Sequence, residues 1–556
     1  MTFSDAELNA IVEGAADFAD YRSGRYFVRR DSKSDREKFV QAGAETPVSP
    51  VSGGSDSPLR LREPFALPPW GVALRRMLDA LADFEFSSDQ GPPLVQLCET
   101  GARYGLQELV GAIAPELLAQ LSRKAKKSLT SDLRRSLARV TRACLELERT
   151  SFGFALDALG VRETTTDAKS VERKFLGSKP SDRLFSMFES FPVLARLWSQ
   201  SISQWCHHVS ELLVRFAADR SALSRSFLNG RPIGTIIDMR CGLSDPHNKG
   251  RTVTMLQFAG GAVIYKPRPG DGEWEWFSLL RRMNARSFQP KLRAARVLRR
   301  KGYCWMEWVE PASCKDSAAA RRFYQRMGGI IGTAYLLKAV DCHRDNIIAS
   351  GECPVLIDAD ALWHVSSVTK TQTPLALLYR TGFFPNSHQR SLQSRSSALG
   401  RTTTGKHIAR IGTRPLGAAQ YEREIVNGFR TAWRFILGTK NRRTAFLRQL
   451  RRIRSRERRW IYWPTEKYAV IRRASIQPAA LRSGIERDLL IARLCTRRAV
   501  TSAVFHAEVD ALKRLDIPYF VRNITECILT DDISAPPALI EALGQVVRLR
   551  MKKPAL

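Results

Sequence analysis

The chain lacks the sequence features of a secreted or membrane-spanning protein. None of its 556 residues belongs to an apolar run of about 18, and no charged and then apolar leader with a cleavage site is present. Its ten cysteines form no CxxC pair and no regular cadence, which is typical of a reducing compartment. We therefore expect a soluble cytoplasmic protein without a transmembrane segment, whose only membrane association would be through a transporter complex.

Acidic residues are also scarce. The 55 acidic residues face 88 Lys and Arg, which gives a net charge of +33 and a pI near 10.3. Such an excess favours nucleic acid, an acidic leader peptide or a membrane surface as a partner. No RNA-binding module that interleaves aromatic and basic residues is visible, and much of the charge lies in arginine-rich stretches such as 442–459. We interpret the charge as a solvated basic surface and predict no specific nucleic-acid partner.

Clustered zinc ligands are a third absence. Cys206-His207-His208 falls in a predicted helix, where adjacent histidines point in different directions, so we expect no zinc. No internal repeat is apparent, and the length allows two or three domains with sizeable cores.

The most informative motif is a short loop followed by a strand. The loop reads Asp341-Cys342-His343-Arg344-Asp345-Asn346, and the apolar run 354–357 leads to Asp358-Ala359-Asp360. In phosphoryl transfer, an aspartate faces the acceptor hydroxyl, while an asparagine and a strand-borne aspartate bind Mg²⁺ through hard oxygen atoms. The spacing resembles the catalytic loop of phosphoinositide 3-kinases and predicts ATP and Mg²⁺, with Asn346, Asp358 and Asp360 as metal ligands. The alternative is that the loop residues only cap a helix end and pair with one another.

Upstream segments add the other parts of a kinase core. Two β-rich runs, 253–258 and 262–265, flank a glycine turn and predict a hairpin. Lys266 ends the second run, where kinases place the lysine that contacts nucleotide phosphates, and Arg268 adds a second cation. A solvated surface charge is the alternative for Lys266.

Two further segments complete the order of structural elements found in a kinase core. Cys304–Val309 could be the adenine-contacting connection between lobes or an ordinary core strand. Apolar residues from Phe323 to Val340 recur at helical spacing and predict a buried helix that delivers the chain to Asp341. We therefore predict an α+β fold with a lipid-kinase-like, two-lobed core embedded in mostly helical flanking regions.

The predicted organisation has five parts, and a polar stretch at 32–58 is expected to be a mobile linker within the first. These parts are an N-terminal helical region (1–130), a helical subdomain (131–233), the kinase-like core (234–365), a flexible activation-loop-like segment (366–413) and a helical C-terminal part (414–556).

Several blocks together resemble one protein family. The blocks are Phe191–Arg196, Gly242–Arg251, Tyr265–Arg268, Gly302–Trp305, the Asp341 loop, Arg459–Tyr468 and Asp516–Phe520. In this order, between about residues 137 and 549, they resemble the dehydratase domain of type II lanthipeptide synthetases, the LanM class.

The resemblance implies a two-step activity. A Ser or Thr of a precursor peptide with a leader would be phosphorylated from ATP, and phosphate would then be eliminated to leave dehydroalanine or dehydrobutyrine. The family motifs imply roles for ten residues, without saying which one removes the α-proton. The kinase half comprises Asp341, His343, Asn346, Asp358 and Asp360, with Lys266 at the phosphates, and the elimination half comprises Asp245, His247, Arg459 and Thr465. Arg268 is the further cation that we predict beside Lys266.

Taken alone, the elimination residues have plainer explanations. Asp245 and His247 could form an Asx-type turn around Pro246, and Arg459 is one of many arginines. The chain also departs from the family twice, with Asp360 in place of the usual Glu and Trp463 where many members carry Arg.

The Cys and His ligands of a C-terminal zinc cyclase are expected after the dehydratase in this class, and none follow here. The sequence therefore predicts a stand-alone dehydratase, half of a split system with a separate cyclase, or a truncated gene product. Two alternatives stay open: a phosphotransferase with the kinase step only, and an inactive remnant that binds leader peptide.

Overall fold

The computed structural model describes residues 5–17, 20, 67–82, 92–159, 175, 180–364, 374–385, 397–399, 404–453, 457–495, 501–523 and 536–551. The predicted linker at 32–58 lies outside these residues. Of the predicted activation-loop-like segment, only 374–385, 397–399 and 404–413 are described.

The chain forms two compact units, each assembled from separate stretches. The first unit contains Met1–Arg220, Gly234–Ala259 and Lys467–Pro518, and the second contains Ser221–Ile233, Gly260–Glu466 and Tyr519–Leu556. Helices and strands both occur among the described residues, so the fold is α+β.

Long helices dominate the first unit. Its elements, with α7 and α13 crossing its boundaries, are α1 (Asp5–Ala15), α2 (Pro69–Ala82), α3 (Pro93–Ala112), α4 (Pro115–Ala119), α5 (Arg123–Ala158), α6 (Pro180–Ser190), α7 (Pro192–Phe227), β1 (Asp238–Arg240), β2 (Thr254–Phe258), α13 (Thr465–Ala474), α14 (Gly484–Cys495) and α15 (Ser502–Lys513).

Helix α5 shows why this sequence forms helices. The Ser122 hydroxyl caps its N-terminus by accepting a hydrogen bond from Ala125 N at 3.1 Å. Leu129, Leu133 and Leu137 recur four residues apart and are fully buried, so one face of the helix packs into the core.

The second unit carries most of the strands. Its elements are β3 (Gly261–Lys266), α8 (Asp271–Ala285), β4 (Val297–Arg300), β5 (Tyr303–Glu307), α9 (Ser317–Leu336), β6 (Ile347–Ser350), β7 (Cys353–Leu356), α10 (Pro374–Arg380), β8 (Arg410–Ile411), β9 (Arg414–Pro415), α11 (Glu422–Leu437), α12 (Lys440–Ile453), β10 (Glu457–Trp460), β11 (Phe520–Asn523) and α16 (Pro536–Met551).

Four antiparallel pairings of the second unit position the candidate site. Strand β5 lies between β3 and β4, and Lys266 at the end of β3 pairs with Cys304. Strands β6 and β7 form a hairpin, while β10 pairs with β11.

The predicted strands at 253–258 and 262–265 are confirmed, as is the predicted helix before Asp341. Strand β5 occupies most of the Cys304–Val309 run, and its Cys304, Trp305 and Met306 side chains are buried. Within the described residues, no helix combines the length and the apolar character needed to cross a membrane.

Helices α9 and α11 form the core of the second unit through close backbone contact. A Cβ atom added to Gly328 would lie 2.0 Å from Ile425 O, and one added to Gly428 would lie 1.8 Å from Gln325 O. Only glycine permits this approach at both positions. The end of α9 is thereby held firmly next to the loop that begins at Asp341.

We predict that Gly428→Ala destabilises the protein by about 1 to 3 kcal/mol, because the added methyl group must push two packed helices apart. Gly153→Ala is the matched control. Gly153 lies inside helix α5 with nothing within 4 Å of an added Cβ. Alanine there should stabilise the protein by up to about 1 kcal/mol. Urea unfolding of both variants measures the difference, and equal effects would show that the α9–α11 contact can relax.

Candidate active site

Lys266 is a buried ion-pairing residue. Its Nζ donates to Glu273 Oε1 at 2.7 Å and to Ile357 O at 2.8 Å, and it lies 3.4 Å from Asp358 Oδ1. Burial alone would lower the pKa of Lys266, but the charges of Asp358 and Glu273 outweigh it and raise the pKa. The alternative of a solvated surface charge is therefore wrong.

Arg268 bridges three carboxylates. It donates to Glu273 Oε1 at 2.6 Å, forms a short hydrogen bond with Asp358 Oδ1, and its Nε lies 3.5 Å from Asp360 Oδ2. Arg268 thus joins both aspartates of the strand-end motif to helix α8.

Glu273 was not found from the sequence. It lies in the first turn of α8, is completely buried, and accepts from both Lys266 and Arg268. Burial would raise its pKa, but the two cations lower it below the usual value. The sequence feature that could have identified Glu273 is an acidic residue on the helix after Lys266. Kinases pair their phosphate-binding lysine with a glutamate on a helix.

Gly272 lets α8 approach the Asp358–Asp360 segment. A Cβ atom at this position would lie 2.2 Å from Ala359 O and 2.8 Å from Asp360 Cα. The glycine therefore sets Glu273 directly beside the two aspartates.

The pKa values of Asp358 and Asp360 differ, although the same cations lie beside both carboxylates. Burial raises the pKa of Asp358, but Arg268 and Lys266 reverse the effect and hold it well below its usual range. For Asp360, burial and then the neighbouring charge of Asp358 outweigh Arg268 and Arg459, and raise the pKa to about 6. Asp358 is consequently the firmly ionised member of the pair.

The β6–β7 hairpin brings the loop and the strand-end motif together. Ile347 pairs with Leu356, and one step further Ile357 N donates to Asn346 O at 2.8 Å. Because Asn346 and Asp358 flank this pairing, the register places the loop amide next to the strand-end carboxylate.

The loop residues also bond to one another, as the simpler alternative expected. Asn346 Nδ2 donates to Asp341 O at 2.8 Å, and His343 Nε2 lies 3.5 Å from Asp341 Oδ1. Asp341 adopts a left-handed backbone with φ of 66°. Burial raises its pKa, against the effects of His343 and Arg459.

Arg459 reaches this cluster from strand β10. Its Nη1 lies 3.3 Å from Asp341 Oδ2 and 3.7 Å from Asp360 Oδ2, and its backbone N donates to Asp360 O at 3.3 Å. The side chain is 9% exposed, and the carboxylates raise its pKa against the effect of burial. Arg459 is therefore not one more surface arginine, although its sequence position is far from the other site residues.

Tyr519 is a second residue that the sequence did not single out. Its hydroxyl donates to Asp360 Oδ2 at 3.5 Å, and the Arg459 guanidinium lies 5.5 Å from the centre of its ring. Burial and the charge of Asp360 raise its pKa, so it stays a hydrogen-bond donor.

Thr465 begins helix α13 and is half-buried, and its hydroxyl forms no side-chain hydrogen bond within the described part of the chain. Two residues earlier, Trp463 is buried, so an apolar ring occupies the position where many family members carry Arg.

The site has an excess of negative charge. Four carboxylates, Glu273, Asp341, Asp358 and Asp360, face the three cations Lys266, Arg268 and Arg459, which leaves −1 when all are ionised. Hard oxygen donors with residual negative charge fit Mg²⁺.

A metal ion would still need ligands from elsewhere. Among the described residues, no group of three or more His, Cys, Asp or Glu forms a ready-made metal cage. Mg²⁺ usually takes one or two carboxylates and completes its shell with water and phosphate oxygens, so the predicted ligands Asn346, Asp358 and Asp360 would be enough protein ligands for it.

Asp245 and His247 lie in a constrained loop of the first unit. Asp245 Oδ1 accepts from Arg472 Nη2 at 2.9 Å, and His247 Nδ1 donates to Ile517 O at 2.7 Å. Asp516 accepts from Lys249 N at 2.7 Å and from Gly250 N at 2.9 Å. A local Asx-type turn does not account for these contacts.

We predict that Glu273→Gln destabilises the protein by about 3 to 5 kcal/mol, because it leaves Lys266 and Arg268 buried with too little negative charge. Asp271→Asn is the control in the same helical turn. Asp271 pairs with Arg299 at 2.8 Å, but both side chains are more than 30% exposed. Its loss should cost less than about 1 kcal/mol in urea unfolding. Equal losses would mean that Glu273 does not hold the cluster together.

Comparisons with known proteins agree with the sequence blocks. Residues 191–411 and 401–523 match the family described as domain of unknown function DUF4135, which covers more than half of the chain. The chain is 22% identical over 383 residues to the lacticin 481/lactococcin biosynthesis protein LcnDR2 of Lactococcus lactis subsp. lactis. That alignment covers 60% of this chain and 41% of the relative, so the chain spans about two fifths of the relative's length. These matches confirm the resemblance to the LanM class, and the chain belongs to the DUF4135 family.

Proposed function

We propose that the chain is a lanthipeptide dehydratase with a lipid-kinase-like core. It phosphorylates Ser or Thr in a precursor peptide from ATP and then eliminates the phosphate. The observation that carries the proposal is the convergence of Asp341, Asp358 and Asp360 on Lys266, Arg268 and Arg459. The related protein's role in lacticin 481/lactococcin biosynthesis supports a peptide substrate of this kind.

In the first step, the substrate hydroxyl oxygen attacks the γ-phosphorus of ATP, and the bond to the leaving ADP oxygen breaks. Asp341 takes the hydroxyl proton, and the rise in its pKa through burial makes it a better base. Lys266 and Arg268 neutralise the phosphate oxygens. When bound by Asn346, Asp358 and Asp360, Mg²⁺ supplies further charge neutralisation to the transferring phosphoryl group.

In the second step, the α-proton is removed, the bond between Cβ and the phosphate oxygen breaks, and a Cα–Cβ double bond forms. Arg459 holds the departing phosphate, because a guanidinium is permanently charged and matches phosphate oxygens in a bidentate manner. Its position beside Asp341 suits a phosphate that the first step has just delivered. Asp245, His247 and Thr465 are assigned to this step through the family motif.

The proposal implies defined partners. The substrate is a precursor peptide with a leader, ATP and Mg²⁺ are the cofactors, and a separate cyclase can act on the dehydrated product. Mass spectrometry of a precursor rich in Ser and Thr, co-expressed with the chain, tests this directly. Loss of one water per modified residue supports the dehydratase, stable phosphorylation supports the kinase-only alternative, and an unchanged peptide contradicts both.

We predict that Asp358→Ala abolishes phosphorylation, because the ionised carboxylate that anchors the metal and pairs with Lys266 and Arg268 is lost. ADP release in the presence of the precursor peptide measures this. Asp271→Asn removes a nearby exposed charge and should retain the parental rate. Peptide-dependent ADP release by Asp358→Ala at the parental rate would refute the kinase assignment.

We predict that Arg459→Ala slows elimination by roughly ten- to a hundredfold, since one charged hydrogen bond contributes about 1.5 to 3 kcal/mol. Phosphorylation should slow less, because Lys266 and Arg268 remain, so phosphorylated precursor accumulates. Arg522→Ala is the control, since Arg522 stacks 4.4 Å from the Trp460 ring centre in the paired strand. Normal dehydration by the Arg459 variant, or equal loss of both steps, would disprove a distinct elimination role.

A further inference from the structure

The two carboxylates beside Arg459 approach its guanidinium at Nη1. This atom lies 3.3 Å from Asp341 Oδ2 and 3.7 Å from Asp360 Oδ2. Nε and Nη2 donate no hydrogen bond to any residue that the structure describes. The side chain is 9% exposed, and neither of these two atoms is completely buried. Because a guanidinium binds phosphate through two parallel N–H bonds, the edge formed by Nε and Nη2 is the part of Arg459 that remains for a phosphate.

The ring of Tyr519 lies beside the same guanidinium. Its centre is 5.5 Å from Arg459 Cζ, which is within the range of a cation–π contact. Its hydroxyl donates to Asp360 Oδ2 at 3.5 Å, and this is the oxygen that Arg459 Nη1 also approaches. Tyr519 therefore contacts both the guanidinium and one of the carboxylates that face it.

Backbone pairing holds Tyr519 close to Arg459. Strands β10 and β11 are antiparallel, and Arg459 lies opposite Val521. Tyr519 comes immediately before β11 and two residues before Val521, so its side chain points to the face on which Arg459 lies. Diagonal neighbours of this kind are within reach of aromatic and long side chains. The contact between Tyr519 and Arg459 is therefore determined by the strand pairing as well as by the two side chains.

The opposite face of this strand pair contains a matched aromatic residue. Phe520 follows Tyr519 and points the other way, where its ring packs edge-on against Tyr462 with ring centres 4.9 Å apart. Tyr462 is half-buried, as Tyr519 is, and it forms no hydrogen bond or ion pair with the described residues of the site. A substitution at Tyr462 therefore controls for loss of aromatic packing in the same strand pair.

We propose that Tyr519 is a positioning residue for Arg459 in phosphate elimination. Its ring restricts the guanidinium on one side, so that Nη1 stays on the carboxylates while the edge formed by Nε and Nη2 faces the phosphate. Its hydroxyl holds Asp360, which is one of those carboxylates. This assignment rests on the proposed dehydratase function and adds to it a residue for which the sequence implied no role.

The test measures elimination separately from phosphorylation. The substrate for elimination is a synthetic precursor peptide that carries phosphoserine, and the release of inorganic phosphate in the presence of ADP and Mg²⁺ gives the rate. ADP release with ATP and the unphosphorylated peptide gives the rate of phosphorylation. Tyr519→Leu removes the ring and the hydroxyl, Tyr519→Phe removes the hydroxyl alone, and Tyr462→Leu is the matched control.

We expect Tyr519→Leu to slow elimination about tenfold, which corresponds to about 1.4 kcal/mol. Phosphorylation should slow by no more than about threefold, because Lys266 and Arg268 remain. Tyr519→Phe keeps the ring and should slow elimination by no more than about threefold, while Tyr462→Leu should leave both rates within about twofold of the parent. Equal losses of both rates in Tyr519→Leu would overturn the inference, since they would indicate a general disturbance of packing.

A double-mutant cycle tests whether Tyr519 acts through Arg459. If it does, Tyr519→Leu should slow elimination by less than about twofold in a chain that already carries Arg459→Ala, because the group that Tyr519 positions is absent. A loss of about tenfold in both backgrounds would overturn the inference, since Tyr519 would then act independently of Arg459.

Failure of this inference is distinguishable from failure of the proposed function. A parent chain that releases no phosphate from the phosphoserine peptide refutes the dehydratase function, and the role of Tyr519 falls with it. An active parent whose Tyr519→Leu variant eliminates at the parental rate overturns the role of Tyr519 alone. Urea unfolding midpoints verify that each variant is folded. Tyr519→Met fills the same space without a ring and replaces Tyr519→Leu if the leucine variant unfolds.

Discussion

The candidate site depends on one buried carboxylate shared by two cations. Glu273 accepts from Lys266 at 2.7 Å and from Arg268 at 2.6 Å, and these cations in turn contact Asp358. Without Glu273, either cation would be buried with too little negative charge, and the Asp358–Asp360 segment would lose its link to α8. Gly272 makes the arrangement possible, because any side chain there would collide with Ala359 O. Strand β3, helix α8 and the strand-end motif are thus held in place by the same few atoms.

This network also explains how the chain accommodates Asp360 where the family usually has Glu. The contacts of Asp360 with Arg268, Arg459 and Tyr519 measure 3.5, 3.7 and 3.5 Å, longer than ordinary charged hydrogen bonds. A glutamate would reach one methylene further toward these partners. Burial and the neighbouring charge of Asp358 outweigh Arg268 and Arg459 and raise the pKa of Asp360 to about 6.

Local sequence patterns predicted the helix and the strands whose formation depends on neighbouring residues. The apolar period before Asp341 predicted helix α9, because side-chain burial repeats with the helical period, and two β-rich runs around a glycine turn predicted strands β2 and β3. The contacts of Glu273, Tyr519 and Arg459 were not predictable in this way. Arg459 meets Asp341 across 118 positions, and no local period encodes such a contact. The resemblance selected Arg459, but only the structure revealed that it lies against Asp341 and Asp360.

In two short segments, 516–519 and 458–459, nearby residues make contacts in different parts of the structure. In the first unit, the Asp516 carboxylate accepts from the backbone N of Lys249, and Ile517 O accepts from the His247 ring, whereas Tyr519 contacts Asp360 in the second unit. Arg458 and Arg459 also have different partners, because neighbouring side chains on a strand point to opposite faces. Arg458 forms a buried pair with Glu275, while Arg459 faces Asp341. The consequence of a substitution on this strand therefore depends on the face to which its side chain points.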